Sequence, residues 1–191
     1  MVTGGGRGIG RAVALRLARE GMRVLVTARS EEELDEVVTT IRAEGGDGAA
    51  VCCDLSDTDA VGTLADRALE WGGKRLDVLI NNAGVFLEAA VPHTSPDAWE
   101  RLLRVNLTAP FVLCRRILPS MIEVGSGHIV NVGSSAGLKG YRHQAAYCAS
   151  KHGLVGFGRA LSMEAKPHNV HVTTLCPGGV RTGLIAGSAV S

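Results

Sequence analysis

The segment TGGGRGIG at residues 3–10 decides the fold of this chain, because it leads directly into an amphipathic run at residues 12–19. Glycines let a backbone approach a pyrophosphate closely, and a helix N-terminus adds N–H groups and a favourable dipole. The spacing fits T-G-x-x-x-G-x-G and not G-x-G-x-x-G. Alone, the segment favours a nucleotide site over a plain glycine-rich turn by about three to one, because such loops also arise by chance.

Beyond this loop, short apolar runs alternate with longer amphipathic segments. Strands are predicted at residues 24–26, 49–53, 76–80, 128–132 and 170–175. Helices are predicted from a Ser30 cap to residue 44, from a Ser56 cap to residue 71, from Ser95-Pro96 to residue 124 with a break at Pro110, and over residues 145–166. Because the strand runs are continuously apolar, both faces of the sheet should be covered. The pattern predicts an α/β fold with a doubly wound parallel sheet.

Composition narrows the class of protein. The 191 residues are 46% hydrophobic and 20% charged, which is typical of one globular domain with a sizeable core. Twenty basic and nineteen acidic residues give a net charge of +1, without the basic excess expected of a nucleic-acid binder. No apolar run could span a bilayer and the N-terminus does not resemble a secretory signal, so no membrane partner and a cytoplasmic location are predicted.

The cysteine and histidine patterns argue against a metal site. Five scattered cysteines include no C-x-x-C, which disfavours both a disulfide framework and a zinc ribbon. His168 and His171 are three residues apart but have no acidic partner between them, so a surface loop is the better interpretation. We therefore predict no metal.

Two further motifs follow predicted strands or lie on a predicted helix. Asn81-Asn82-Ala83-Gly84 comes directly after a strand, where it would border a cofactor crevice, although an ordinary turn is equally compatible. Tyr147 and Lys151 are four residues apart, so they share one face of a helix. A nearby ammonium can lower the phenol pKa from about 10 by roughly 1–3 pH units, which would let the phenol exchange a proton with a carbonyl or alcohol oxygen.

Taken in order, these pieces resemble the short-chain dehydrogenase/reductase family, the type with TGxxxGxG and YxxxK motifs. The matching segments are TGGGRGIG at 3–10, NNAG at 81–84, Asn106 in VNLT, Ser134 in GSSAG, YCASK at 147–151 and PGGVRT at 177–182. The resemblance covers nearly the whole chain. It implies a three-layer Rossmann-type domain over residues 1–191 and an NAD(P)-dependent oxidoreductase acting on carbonyl or alcohol groups.

The resemblance also implies roles for individual residues. Tyr147 would be the general acid/base, and Lys151 would lower its pKa and hold the nicotinamide ribose. Ser134 would bind the reacting oxygen, and Asn106 would belong to a water-mediated relay behind Lys151. Ser135 is the alternative serine, but the thirteen-residue spacing to Tyr147 favours Ser134.

Cofactor contacts follow from the same resemblance. The implied cofactor-binding residues are Gly4, Arg7, Gly8, Ile9, Gly10, Arg29, Asp54, Leu55, Asn81, Ala83, Gly84, Tyr147, Lys151, Pro177, Gly178, Val180 and Thr182. Asp54 would contact the adenine, although it could instead cap the following helix. Thr182 and the backbone around Val180 would bind the nicotinamide carboxamide.

The arginines favour NADPH over NADH. Ala28 ends the second strand, where NAD-preferring relatives carry an acid, and Arg29 follows it. Together with Arg7 in the glycine loop, Arg29 could clamp a 2′-phosphate through charge-assisted bonds. The alternative is that either arginine is a solvated surface charge.

The sequence also gives expectations for the substrate and for how much of the family's fold the chain contains. The candidate pocket residues are Val85, Phe86, His93, Tyr141, His143 and Gln144. None is an obvious anchor for a charged group, so a small, mostly neutral carbonyl compound is predicted. Compared with the family pattern, the chain is expected to be truncated at both ends, with an incomplete first strand and without the C-terminal strand and helices.

This leaves two alternatives to an active enzyme: a dinucleotide-binding module without turnover, or a fragment that does not fold stably alone. If the fold is complete, the resemblance implies a homo-oligomer formed through the helices around residues 95–123 and 145–166.

Overall fold

Parallel strands form one sheet in the computed structural model, which describes residues 1–180. The strands are β1 Val2–Thr3, β2 Val24–Ala28, β3 Gly48–Cys52, β4 Val78–Asn81, β5 Gly127–Val132 and β6 Val170–Leu175. Their spatial order is β3-β2-β1-β4-β5-β6. Every neighbouring pair is parallel, as predicted.

Helices cover both faces of this sheet. They are α1 Gly8–Arg19, α2 Glu31–Ala43, α3 Thr58–Trp71, α4 Pro96–Leu103, α5 Ala109–Val124 and α6 Ala145–Ala165. On one face, α1 and α2 bury side chains such as Leu34 and Ile41 against Val26. On the other, α3, α5 and α6 pack over Leu79 and Ile129. The three-layer, Rossmann-type architecture predicted from the sequence is therefore confirmed.

The order of the strands reverses between β1 and β4. From β1 the chain winds outward to β2 and β3, then returns to β4 and continues to β5 and β6 on the other side. Val2 lies opposite both Val26 and Ile80, so the two-residue strand β1 links the two halves of the sheet. The chain leaves β1 for α1 on one face of the sheet and leaves β4 for α5 on the other, and such a reversal places a crevice at the carboxyl edge of the sheet.

Three helix caps were predicted: Ser95 is confirmed as the cap of α4, and one of the other two is wrong. The Ser30 hydroxyl accepts a hydrogen bond from the Glu33 backbone at 3.2 Å, which confirms Ser30 as the cap of α2. In contrast, α3 is capped by Asp57, whose carboxylate accepts two N–H groups of the first turn. The Ser56 hydroxyl instead donates to Asp54 at 2.9 Å, so it is not free to cap the helix.

The predicted interruption near Pro110 corresponds to a change of helix type. Residues Arg104–Thr108 form a π-helical segment between α4 and α5. Pro110 lies in the first turn of α5, directly after the π segment, and its missing N–H removes one hydrogen bond to the preceding turn at the point where the helix type changes. Short π segments are frequent at functional sites, and this one contains the buried Asn106.

Within residues 1–180, no helix is both long and apolar enough to cross a membrane. The same part of the chain holds no group of three or more His, Cys, Asp or Glu side chains arranged to bind a metal ion. All five cysteines are free thiols.

Candidate active site

A cleft of about 550 Å³ opens at the carboxyl edge of the sheet, bordered by the loops that follow β1 to β6. The predicted site residues that line it are Gly4, Arg7, Gly8, Ile9, Arg29, Asp54, Leu55, Ala83, Gly84, Ser134, Tyr147, Lys151, Pro177, Gly178 and Val180. The fold thus brings segments from most of the chain into one cleft. Gly10, Asn81 and Asn106 do not line it, and Thr182 lies outside the described residues.

The glycine loop is fixed to the loop after β4. Gly4 has a φ of +63°, a conformation that favours glycine. The Thr3 hydroxyl accepts hydrogen bonds from the backbone of Asn82 at 2.9 Å and of Ala83 at 3.0 Å. The Asn82 side chain donates in return to the Thr3 carbonyl at 2.8 Å. Gly10 does not line the cleft, but the arrangement requires a glycine there, because a Cβ on this residue would collide with the Gly4 carbonyl oxygen.

The side chain of Asn81 does not line the cleft. Asn81 is buried, and its amide donates to the Asn131 side chain at 2.9 Å and approaches the Cys114 sulfur at 3.6 Å. Side chains alternate between the two faces of a strand, so the last residue of β4 turns into the core under α5. The next residue, Asn82, lines the cleft, as expected for the motif that contains it, although the sequence did not name it among the cofactor-binding residues.

The structure distinguishes the two adjacent serines. The Ser134 hydroxyl interacts with the phenol of Tyr147, an interaction that acts to lower the phenol pKa. The Ser135 hydroxyl is hydrogen bonded to the Tyr141 phenol at 2.9 Å. Phe86 packs edge-on against the Tyr147 ring with centroids 5.0 Å apart, which helps to hold that ring in the cleft.

Protonation of the Tyr147 and Lys151 pair differs from the sequence expectation. Burial raises the pKa of Tyr147 and outweighs the opposing hydrogen bond with Ser134. Burial likewise lowers the pKa of Lys151 to about 8, with the nearby Cys176 acting in the opposite direction. The Lys151 ammonium donates to the Val132 carbonyl at 2.9 Å and lies 5.9 Å from the Tyr147 ring centroid. The expected lowering of the Tyr147 pKa is therefore wrong, because desolvation dominates for both groups.

Asn106 forms direct hydrogen bonds with two segments that border the cleft, and its part in a water-mediated relay stays a prediction. Its amide accepts from the Val85 backbone N–H at 2.8 Å and donates to the Val85 carbonyl at 2.9 Å. It also donates to the Ser150 hydroxyl at 3.0 Å, which in turn donates to the Tyr147 carbonyl at 2.8 Å. None of these hydrogen bonds reaches Lys151. These hydrogen bonds join the loop after β4 to helix α6.

Charged side chains gather at the end of the cleft next to β2 and β3. Arg29 lies there, and Arg7 is 3.8 Å from the carboxylate of Glu33. Hydrogen bonds from the backbone and hydroxyl of Ser56 lower the pKa of Asp54 despite partial burial, and Arg29 contributes through its charge. Asp54 faces the cleft and does not cap α3, so the capping alternative is wrong.

Sequence reasoning missed several residues of this cleft. They are Ser30, Glu33, Asn82, Glu88 and Arg101. Ser30 caps α2 and Glu33 lies in its first turn, a position just after β2 that could have marked both as neighbours of Arg29. Among the candidate substrate residues, Val85, Phe86, Tyr141 and Gln144 line the cleft, whereas His93 and His143 do not.

The chain matches the family model described as short chain dehydrogenase over residues 1–189. It is 38% identical over 190 residues to a 3beta-hydroxysteroid dehydrogenase from Mediterraneibacter gnavus, covering 99% of this chain and 68% of the relative. It is 36% identical over 185 residues to a 3-oxoacyl-(acyl-carrier-protein) reductase from Synechocystis sp., covering 96% of this chain and 74% of the relative. A metagenomic short-chain oxidoreductase, solved in complex with NADP, matches the fold with a TM-score of 0.89 at 42% identity, covering 93% of this chain and 80% of that one.

Proposed function

Because this chain belongs to the short-chain dehydrogenase family, we propose that it is an NADPH-dependent enzyme that reduces the carbonyl group of a small, mostly neutral substrate. The reverse reaction would oxidise the corresponding alcohol. The observation that carries the proposal is the meeting of Ser134, Tyr147 and Lys151 with the glycine loop in one cleft. The relatives named above act on keto and hydroxyl groups of different molecules, so the class of reaction is better supported than any one substrate.

The chain's own groups supply the proton and hold the reacting oxygen. Tyr147 is protonated at neutral pH because burial raises its pKa, so it can act as the acid when a carbonyl becomes an alcohol. The Ser134 hydroxyl, beside that phenol, hydrogen bonds to the same oxygen and stabilises its developing charge. Lys151 places a buried ammonium on the same helical face as Tyr147, where its charge stabilises the phenolate that remains when Tyr147 has given its proton to the substrate oxygen.

The residues at the other end of the cleft fit a dinucleotide phosphate. The glycine loop precedes α1, whose N-terminus offers unpaired N–H groups to a pyrophosphate. Arg7 and Arg29 provide two cations at the end of β2, where the preceding residue is the uncharged Ala28. When bound, NADPH would supply the hydride that reaches the carbonyl carbon.

Thermal unfolding with each nucleotide tests binding and folding together. A cooperative transition whose midpoint rises more with NADPH than with NADH at equal concentration supports the proposal. Turnover is then measured from the loss of NADPH absorbance with a panel of neutral ketones that begins with ethyl acetoacetate. Binding without oxidation of NADPH by any ketone would favour a dinucleotide-binding module instead.

Replacing Arg29 by alanine is expected to lower the preference for NADPH over NADH by ~10-fold or more, because a charge-assisted bond to the 2′-phosphate is lost. The preference is the ratio of the two kcat/KM values. Arg159→Ala serves as the control, since Arg159 is exposed on α6 away from the cleft. An unchanged preference in the Arg29 variant, or equal use of both nucleotides by the unmodified chain, would contradict the NADPH assignment.

Carbonyl reduction is expected to slow as the pH rises through about 8, because Lys151 loses its proton near its pKa of about 8. Tyr147 does not account for this decline, since burial moves its pKa upward and keeps the phenol protonated over that range. The measurement is kcat/KM for the ketone between neutral pH and about 10 with saturating NADPH. A constant value up to the ordinary pKa of a tyrosine would contradict a role for the Lys151 charge.

Self-association through α5 and α6 is part of the same proposal. Phe111 on α5 is 47% exposed and packs against Phe157 on α6, which leaves aromatic surface on these two helices.

A further inference from the structure

A carboxylate lies beside the arginines proposed to bind the 2′-phosphate. Glu33 lines the cleft together with Ala28 and Arg29. Its carboxylate is 3.8 Å from the Arg7 guanidinium. One of its oxygens lies 2.9 Å from the point that a Cβ on Gly6 would occupy, so the carboxylate sits directly against the glycine loop.

The direction of this side chain is not explained by the helix alone. Helix α2 starts with three glutamates, Glu31, Glu32 and Glu33, and negative charge in a first turn favours any helix. Glu31 and Glu32 are exposed and do not line the cleft, whereas Glu33 does. The Ser30 cap fixes the backbone of Glu33 by accepting its N–H at 3.2 Å, which holds this residue toward the loop.

The ion pair is held weakly enough to exchange partners. The side chains of Arg7 and Glu33 are 65% and 38% exposed, so water screens their attraction. A phosphate group carries more negative charge than a carboxylate and offers several acceptor oxygens to a guanidinium. Arg7 can therefore leave Glu33 for a 2′-phosphate, but Glu33 then remains nearby as an unpaired negative charge.

We propose that Glu33 is a specificity-determining residue that weakens the preference for NADPH set by Arg7 and Arg29. Its carboxylate competes with the 2′-phosphate for Arg7 and repels that phosphate, whereas it can accept a hydrogen bond from the 2′-hydroxyl of NADH. Glu33, in the first turn of α2, thus provides the acidic group that NAD-preferring relatives carry at the position of Ala28. This inference rests on the proposed binding of NADP(H) in the same cleft.

The test measures binding to the complete chain by calorimetry, independently of turnover. Glu33→Gln is expected to raise the ratio of Kd for NADH to Kd for NADPH by ~10-fold, because one close negative charge is removed. Glu32→Gln removes the same charge from the same helical turn and is expected to change the ratio less than about twofold. The ratio of Kd for AMP to Kd for adenosine 2′,5′-bisphosphate is expected to respond to the two variants in the same way. These two ligands contain only the adenosine end of the cofactor.

The outcomes separate this inference from the proposed function. If both nucleotides bind and Glu33→Gln changes the ratio no more than Glu32→Gln, the inference is overturned while NADPH binding stands. If the unmodified chain binds neither nucleotide, both are overturned. In an Arg7→Ala background the effect of Glu33→Gln should shrink, because part of it comes from releasing Arg7, and an undiminished effect there would overturn the exchange of partners.

Discussion

Replacing Tyr147 by phenylalanine is expected to lower kcat for carbonyl reduction by about 10³-fold, the size of effect typical of losing a positioned general acid. The change removes one oxygen and leaves the ring, which is buried and packed edge-on against Phe86. NADPH affinity and the unfolding temperature should therefore stay close to those of the unmodified chain. The measurements are kcat from NADPH absorbance, Kd from calorimetry and the thermal midpoint.

Tyr141→Phe is a matched control because Tyr141 is the chain's other tyrosine. It also lines the cleft, but its phenol is hydrogen bonded to Ser135, the serine that does not face Tyr147. We expect this variant to lose less than about tenfold in kcat, since it disturbs substrate contacts and not proton transfer. Equal losses in the two variants would mean that Tyr147 is not the proton donor.

The sequence was sufficient for the parts of the site that depend on local spacing. Tyr147 and Lys151 share a helical face, and the glycine loop joins a strand to a helix, so their relation is largely independent of the rest of the fold. Ser134 was also chosen over Ser135 by spacing, and that choice stays a prediction; in the structure the Ser134 hydroxyl interacts with Tyr147 and the Ser135 hydroxyl with Tyr141.

The errors concern properties that depend on packing between distant segments. Which of Asn81 and Asn82 faces the cleft depends on the residue at which β4 ends, and adjacent asparagines do not reveal that point. The pKa of Tyr147 depends on burial under other loops, which no spacing motif reports. The position of Glu33 depends on how closely Gly6 approaches α2, two segments separated by a strand and a helix.

Neighbouring residues of similar chemistry caused the error at the start of α3. Ser56 and Asp57 are both good capping residues, and sequence preference does not separate them. The backbone N–H and the hydroxyl of Ser56 both donate hydrogen bonds to the Asp54 carboxylate. Asp57 is therefore left to cap the helix. The outcome is thus decided by a side chain that also faces the cofactor cleft.

Replacing Gly10 by alanine is expected to lower the free energy of unfolding by about 3 kcal/mol, because the new methyl group has no space. It would collide with the Gly4 carbonyl oxygen and lie 2.5 Å from the Asn82 amide nitrogen. That amide joins the glycine loop to the loop after β4 through the Thr3 carbonyl. For a chain of this length, the loss corresponds to a decrease of about 6–12 °C in the thermal midpoint.

Gly156→Ala separates this steric effect from the general effect of a glycine in a helix. Gly156 lies in α6 with no neighbouring atom within 4 Å of an added Cβ, so alanine there should be neutral or stabilise by up to ~1 kcal/mol.

The Gly10 variant should also bind NADPH ~10-fold more weakly, since the displaced Gly4 loop is the proposed pyrophosphate cradle. Similar thermal midpoints for the two variants would contradict the close packing of α1 against the glycine loop. A destabilised Gly10 variant with unchanged NADPH affinity would instead separate that packing from nucleotide binding.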